Sequence, residues 1–179
     1  MELKLKTISK ESIPEAISKA EIYRNLNEPE ESESICHDIL AVDPENQRAL
    51  RILGLAITDE FTGILTDRYV EAEKVFQQLT DAYEREYHLG LLVERRAKAQ
   101  MRSGRPPHSV SVMFHDAMKH FEAAERLSPP KNDDAMLRWN RCARLLDKMP
   151  AEFPTEHQPT FEDDDTAPIQ ASPWRVATK

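Results

Sequence analysis

Apolar residues recur at three- and four-residue intervals from near Ile13 to about Leu146, which is the spacing of one face of an α-helix. The pattern contains no strand-like alternation. Short polar clusters interrupt it, at residues 27–29, 43–46, 62–67, 103–107 and 128–133. The pattern therefore predicts an all-α chain of about six or seven helices joined by brief turns.

Several of the interruptions carry residues that favour a helix start. Pro29 suits the first position of a helix, and Asn46 suits the capping position before one. Asn132 supplies another cap and is followed by two aspartates, whose charge favours the N-terminal end of a helix dipole. Pro129, by contrast, predicts a helix end, because proline disfavours helical backbone at the residue before it.

Three segments repeat one spacing of small and large residues, stepping first by four positions and then by three. Two of them end at a proline, Pro44 or Pro129, at the same distance. The three sets are Ser32, Cys36 and Ile39; Ala72, Phe76 and Leu79; and Ala117, Phe121 and Ala124. Each set marks the second helix of a predicted pair.

The first helices of these pairs share their own signature. "LGLAI" at 53–57 recurs as "LGLLV" at 89–93, and "WNRCARLL" at 139–146 keeps related spacing. Gly54, Gly90, Ala117 and Ala143 are small, which favours a close crossing of the two helices of a pair.

With these segments the chain resembles tetratricopeptide repeat (TPR) proteins, including bacterial TPR proteins of unassigned function. The resemblance covers residues 12 to 147. It implies a right-handed stack of about three antiparallel helix pairs, closed by a C-terminal capping helix, with a concave groove lined by the first helices. The first pair matches weakly, and insertions at 59–68 and 98–108 leave the exact register open.

Length and composition place this repeat in one domain with a tail. The chain has 179 residues, of which 40% are apolar, enough to bury a core. We expect an N-terminal segment at 1–11, the helical domain at 12–149, and an acidic, proline-rich tail at 150–179. The tail has no apolar periodicity, which is typical of disorder.

Charge and hydropathy argue against some classes of protein. A net charge of −8 argues against a protein that coats nucleic acid. No stretch approaches the length of a membrane span, and the opening residues lack the apolar core of a signal peptide, so a soluble, cytoplasmic protein without a membrane partner is expected. Cys36 and Cys142 have no metal-ligand spacing and are predicted to be reduced and buried.

The sequence offers no pattern for catalysis or for a cofactor. Nucleophile-elbow and phosphate-loop motifs are absent, and neither cysteine has an evident base partner. His108, His115 and His120 lie close together in the sequence, but His115 and His120 are five positions apart and do not share a helix face, whereas metal ligands on one helix stand three or four positions apart. We expect no enzyme activity, no metal and no cofactor.

Binding of a protein or peptide is the remaining prediction, and the resemblance places it in the concave groove. The residues predicted to line that groove are Arg24, Asn25, Arg48, Arg51, Leu55, Thr58, Tyr87, Leu91, Glu94, Arg95, Asn140 and Arg144. A surface rich in arginine and asparagine suits an extended peptide with carboxylates, because guanidinium groups bind carboxylates bidentately. The surface is similar in kind to the carboxylate clamp of co-chaperone TPR domains, although the clamp's lysines are not matched. The alternative is an ordinary solvated face whose arginines pair with the chain's many glutamates.

Three other possibilities stay open. The basic cluster of Arg95, Arg96, Lys98, Arg102 and Arg105 could contact nucleic acid, although it lacks interleaved aromatic residues. The apolar end helix could mediate self-association, and the oligomeric state is not predicted. The tail segment "TFEDDDTAPI" could fold back over the groove and compete with a partner.

Overall fold

The computed structural model describes residues 3–62 and 68–149, and within them it is entirely helical. A 3-10 turn at Lys10–Ser12 precedes seven α-helices. They are α1 (Ile13–Asn25), α2 (Pro29–Val42), α3 (Gln47–Asp59), α4 (Arg68–Gln77), α5 (Ala82–Arg102), α6 (Pro107–Leu127) and α7 (Asp134–Leu146). The all-α prediction is confirmed, and so are the predicted interruptions that fall on described residues.

The helix ends follow local sequence chemistry. Asn46 caps α3, since its side-chain oxygen accepts a hydrogen bond from the Ala49 amide at 3.0 Å. Pro29 occupies the first turn of α2. Ser128, which precedes Pro129, has extended backbone, and α6 therefore ends at Leu127.

One turn was not among the predicted interruptions, namely the turn between α4 and α5. Asp81 makes it, by accepting a hydrogen bond from the Glu84 amide at 2.8 Å. The signal in the sequence was the spacing of Asp81 and Glu84, which is typical of a helix N-terminus. The apolar pattern ran through the turn because Leu79 and Tyr83 on either side of it are both buried.

Each helix packs against the next one along the chain, and contacts also join α1 to α3 and α3 to α5. Helix α7 reaches α5 through an ion pair between Arg138 and Glu94, with 3.7 Å between Nη1 and Oε2. We call α1, α3, α5 and α7 the odd helices, and α2, α4 and α6 the even helices.

The nine residues of the three repeated sets are all buried, with at most 3% of their surface exposed. They lie on the even helices and at the end of α4, where they face the core. Most of the core falls into two clusters, one built mainly from α1 to α4 and the other from α5 to α7. Leu55 of α3 packs against both clusters.

Gly54 and Gly90 leave no room for a side chain, because aromatic rings of the following helices lie against them. A Cβ atom built on Gly54 would overlap the ring of Phe76, and one built on Gly90 would lie 2.7 Å from Cε1 of Phe121. The expectation of close crossings therefore holds at these positions, with a ring of the partner helix, rather than its backbone, as the nearest neighbour. Each glycine pairs with the large residue of a repeated set.

Both cysteines are free and fully buried, as predicted. Burial raises the pKa of each thiol to about 12, and nearby Glu33 and Glu94 raise those of Cys36 and Cys142 respectively. Thiols with such a pKa are poor nucleophiles at neutral pH. The predicted tail at 150–179 and part of the insertion at 59–68 lie outside the described residues.

Candidate functional site

All of the predicted groove residues lie on odd helices. Arg24 and Asn25 end α1, while Arg48, Arg51 and Leu55 follow along α3. The remaining positions are on α5 and α7. Because α3 contacts both α1 and α5, residues from these three helices can act together.

Asp59 at the end of α3 brings two of the predicted arginines together. Its Oδ2 accepts a hydrogen bond from Nε of Arg24 at 2.6 Å, and its Oδ1 accepts one from Arg95. Arg95 also donates to Oγ1 of Thr58 at 2.6 Å and to the carbonyl of Leu55 at 3.1 Å. A single carboxylate therefore links α1, α3 and α5.

The environment of Arg95 explains why a charged residue is stable there. Burial lowers the pKa of Arg95, and the charge of Asp59 opposes that shift. Its bonds to the Thr58 hydroxyl and to the Leu55 carbonyl attach it to the C-terminal part of α3. Arg95 therefore stabilises the end of α3 in addition to pairing with Asp59.

Arg48 and Arg51 pair with acids of the neighbouring odd helices. Arg48 Nη2 lies 2.8 Å from Glu21 of α1, and Arg51 Nη1 lies 3.5 Å from Glu84 of α5. Arg48 is more than half exposed, so its pair is held only weakly. This pairing matches the alternative in which the arginines pair with glutamates, and it leaves them reachable from solvent.

The other predicted positions divide between surface and core. Asn25 and Arg144 are exposed, and Asn140 is partly buried. Leu91 is only 4% exposed and belongs to the second core cluster, so its predicted place on the groove surface is wrong. The register count placed it at the surface because a count along one helix does not include the neighbouring side chains of this cluster.

Tyr87 and Glu94 of α5 are also more enclosed than a groove surface requires. Tyr87 stacks on Tyr83, with ring centroids 5.8 Å apart, and packs against Phe121. Glu94 is fully buried, bonded to Lys98 and close to Arg138. Both residues therefore act mainly in packing α5 against its neighbours.

Charge is divided unevenly between the two sets of helices. The odd helices carry twelve lysines and arginines against seven aspartates and glutamates, a net charge of +5. The even helices carry four against nine, a net charge of −5. The whole-chain charge of −8 conceals this contrast.

The basic cluster considered for nucleic acid is largely engaged within the protein. Arg95 pairs with Asp59, Lys98 bonds to Glu94, and Arg96 lies over the ring of Tyr69 at 4.4 Å from its centroid. Arg102 and Arg105 are exposed. On the apolar end helix α7, Met136 and Leu137 are 42% and 63% exposed.

The structure also shows a polar cluster that sequence reasoning missed, around Arg68 at the start of α4. Arg68 donates to Glu33 of α2, to Glu60, and to Glu71 one turn further along α4. His37 lies on α2, with Nε2 3.6 Å from Glu33 Oε1. The signal in the sequence was the four-residue spacing of Glu33 and His37, which places both on one helix face.

The histidines of α6 lie elsewhere. His115 is exposed, and His120 bonds to Glu86 at 2.9 Å.

No protein-family model matches the chain, and no curated protein sequence matches it significantly. Among the described residues, no helix combines the length and the apolar character needed to cross a membrane.

Proposed function

We propose that this chain is a non-catalytic adaptor whose odd helices bind an extended acidic segment of another protein. The observation that carries the proposal is the way Asp59 is held. Two arginines from different helices converge on one carboxylate, within a set of helices that is positively charged in an acidic chain. Other arginines on the same helices could bind a ligand carboxylate as Arg24 and Arg95 bind Asp59.

We also propose that the helices form a TPR-like stack of three pairs plus a capping helix. The burial of all nine repeated residues supports it, as do the contacts of α3 with both α1 and α5. The two glycine–phenylalanine contacts recur between corresponding helices of successive pairs. In such a stack the first helices line one side, which gives an extended peptide a continuous surface.

The ion pairs of Arg48 and Arg51 are compatible with ligand binding. Exposed pairs contribute little net free energy, because solvent screens them and ordering two long side chains costs entropy. A ligand carboxylate can therefore replace Glu21 beside the exposed Arg48 at small cost, whereas the pair of Arg51 with Glu84 is only partly exposed. Arg144 and Asn25, which are exposed, would extend the contact at either end.

The test uses the full chain and a fluorescently labelled oligoglutamate peptide, with binding followed by anisotropy. We expect binding that weakens as salt is added. The double substitution Arg48→Glu, Arg51→Glu is expected to weaken it by about tenfold or more. The matched control is Lys119→Glu, Arg126→Glu on α6, which makes the same change in net charge on an even helix.

Equal loss in both double variants would mean that only the overall charge matters, and the adaptor proposal would be wrong. A labelled RNA of the same length serves as the second probe. If the RNA binds more tightly than the peptide, the basic cluster on α5 becomes the better explanation.

A further inference from the structure

The cluster around Arg68 contains three side chains of the types that bind transition metals. Glu33 and His37 stand one helical turn apart on α2, and Glu71 approaches them from α4. One ligand atom from each lies within 4.8 Å of the other two. Around a tetrahedral zinc ion, ligand atoms are about 3.4 Å apart. The 3.6 Å between His37 Nε2 and Glu33 Oε1 is already close to that separation.

Negative charge around the cluster exceeds the positive charge available to it. Glu33, Glu60 and Glu71 share the single guanidinium of Arg68, which leaves an excess of two negative charges. Glu30 and Asp38 line the same surface groove. Neither side chain makes a hydrogen bond or an ion pair within residues 3–62 and 68–149. A divalent cation would balance the excess.

The cluster is open to solvent. The groove beside it has a volume of about 630 Å³. The side chain of His37 is 56% exposed and that of Glu71 is 42% exposed, whereas Glu33 is more enclosed at 17%. Glu33 and His37 line this groove, and Glu71 reaches the same cluster from α4.

We propose that Glu33, His37 and Glu71 bind a divalent transition-metal cation of the zinc type, in exchange for the guanidinium of Arg68. One imidazole with two carboxylates suits zinc, which accepts nitrogen and oxygen ligands, better than magnesium, which prefers oxygen alone. Three protein ligands leave a coordination position for water. The metal would join α2 to α4 as Arg68 does in its absence.

Arg68 gives the proposal a distinctive consequence. The guanidinium occupies both oxygens of Glu33 and one oxygen of Glu71, so it competes with the metal for the same lone pairs. Removing this competitor should tighten metal binding. Removing a ligand should weaken it.

The experiment is a calorimetric titration of the full chain with zinc chloride. We expect one specific zinc per chain, with affinity lowered at least about tenfold by His37→Ala and by Glu71→Gln. Arg68→Gln should bind zinc more tightly than the wild type. His115→Ala, which removes an exposed histidine from α6, should have no effect.

A second readout does not depend on the variants folding. Histidine ring signals in long-range nitrogen–proton NMR spectra of the wild-type chain should shift for His37 on zinc addition and stay unchanged with magnesium. The proposal is overturned if zinc does not bind, if His37→Ala binds as the wild type does, or if Arg68→Gln weakens binding as much as His37→Ala. An equal response of His37 to magnesium would overturn it as well, because only diffuse charge attraction would then remain.

Discussion

The odd and the even helices differ in the sign of the charged group that lies at the centre of their ion-pair clusters. At the end of α3, one carboxylate, Asp59, lies between two arginines, whereas at the start of α4 one arginine, Arg68, lies between three glutamates. Both arrangements join helices that are distant in sequence. The difference is in what remains unbalanced, which is positive charge on the odd helices and negative charge on the even helices. The two surfaces should therefore attract opposite ligands.

The largest effect is expected where the two sets of helices meet. In Gly54→Leu the new side chain would collide with the ring of Phe76, so α3 and α4 would have to separate. We expect a loss of about 3 kcal/mol in the free energy of unfolding, measured by urea denaturation. Ala41→Leu, at an exposed position of α2, is the matched control and should change little.

A double substitution sharpens that result. If the ring causes the loss, Gly54→Leu combined with Phe76→Ala should cost less than the sum of the single changes, because truncating the ring makes room. Simple additivity would show that the assigned contact does not set the cost.

The second effect separates arginines that stabilise the odd helices from those available to a ligand. Arg95→Ala removes the bonds to Asp59, Thr58 and the Leu55 carbonyl, and should cost about 2–3 kcal/mol. Arg48→Ala breaks only an exposed pair and should cost less than about 0.5 kcal/mol. Thermal unfolding of both variants tests the distinction, and equal losses would contradict it.

Sequence reasoning predicted the helices well because their signals are local. Proline and asparagine at the ends, and small and large residues at fixed steps, act within one or two helical turns. The interruption at Asp81 was missed because buried Leu79 and Tyr83 continue the apolar pattern across it.

The candidate sites were harder to predict because their contacts join residues far apart in the chain. Arg24 meets Asp59 across 35 residues, and Arg68 meets Glu33 across the same separation. A count along one helix can give the side on which Arg48 lies, but not the acid opposite it. The same count placed Leu91 at the surface, since it contained no information on the core cluster that encloses this side chain.

A smaller effect distinguishes the two sets of helices by pH. Burial lowers the pKa of His88 on α5, so below about pH 6.5 the unfolded chain takes up a proton that folded His88 resists. Stability contributed by neutral His88 should be lost as the pH falls from 7 toward 5. The hydrogen bonds from Arg68 lower the pKa of Glu33 on α2. The stability that ionised Glu33 contributes should therefore persist between pH 7 and pH 5 and be lost only below about pH 4.

Urea midpoints between pH 7 and pH 3 measure both steps. His88→Gln should flatten the upper step, and Glu33→Gln should flatten the lower one. If His88→Gln leaves the upper step unchanged, another group causes it.

The smallest effect is expected for Lys119→Ala on α6. Its ion pair with Asp116 joins two residues one helical turn apart on the same helix, and the lysine side chain is 75% exposed. We expect no measurable change in the free energy of unfolding in the same denaturation experiment, because solvent screens an exposed pair. A measurable loss would show that exposed pairs on the even helices matter more than this comparison allows.

The most direct test of the central claim locates the bound peptide. Backbone amide NMR spectra of the full chain, recorded with increasing oligoglutamate, should show shifts concentrated on α1, α3 and α7 around Arg24, Arg48, Arg51 and Arg144. The amides of α2 around Glu30 and Glu33 should stay unchanged. Shifts centred on the even helices, or no saturable shifts at all, would contradict the account.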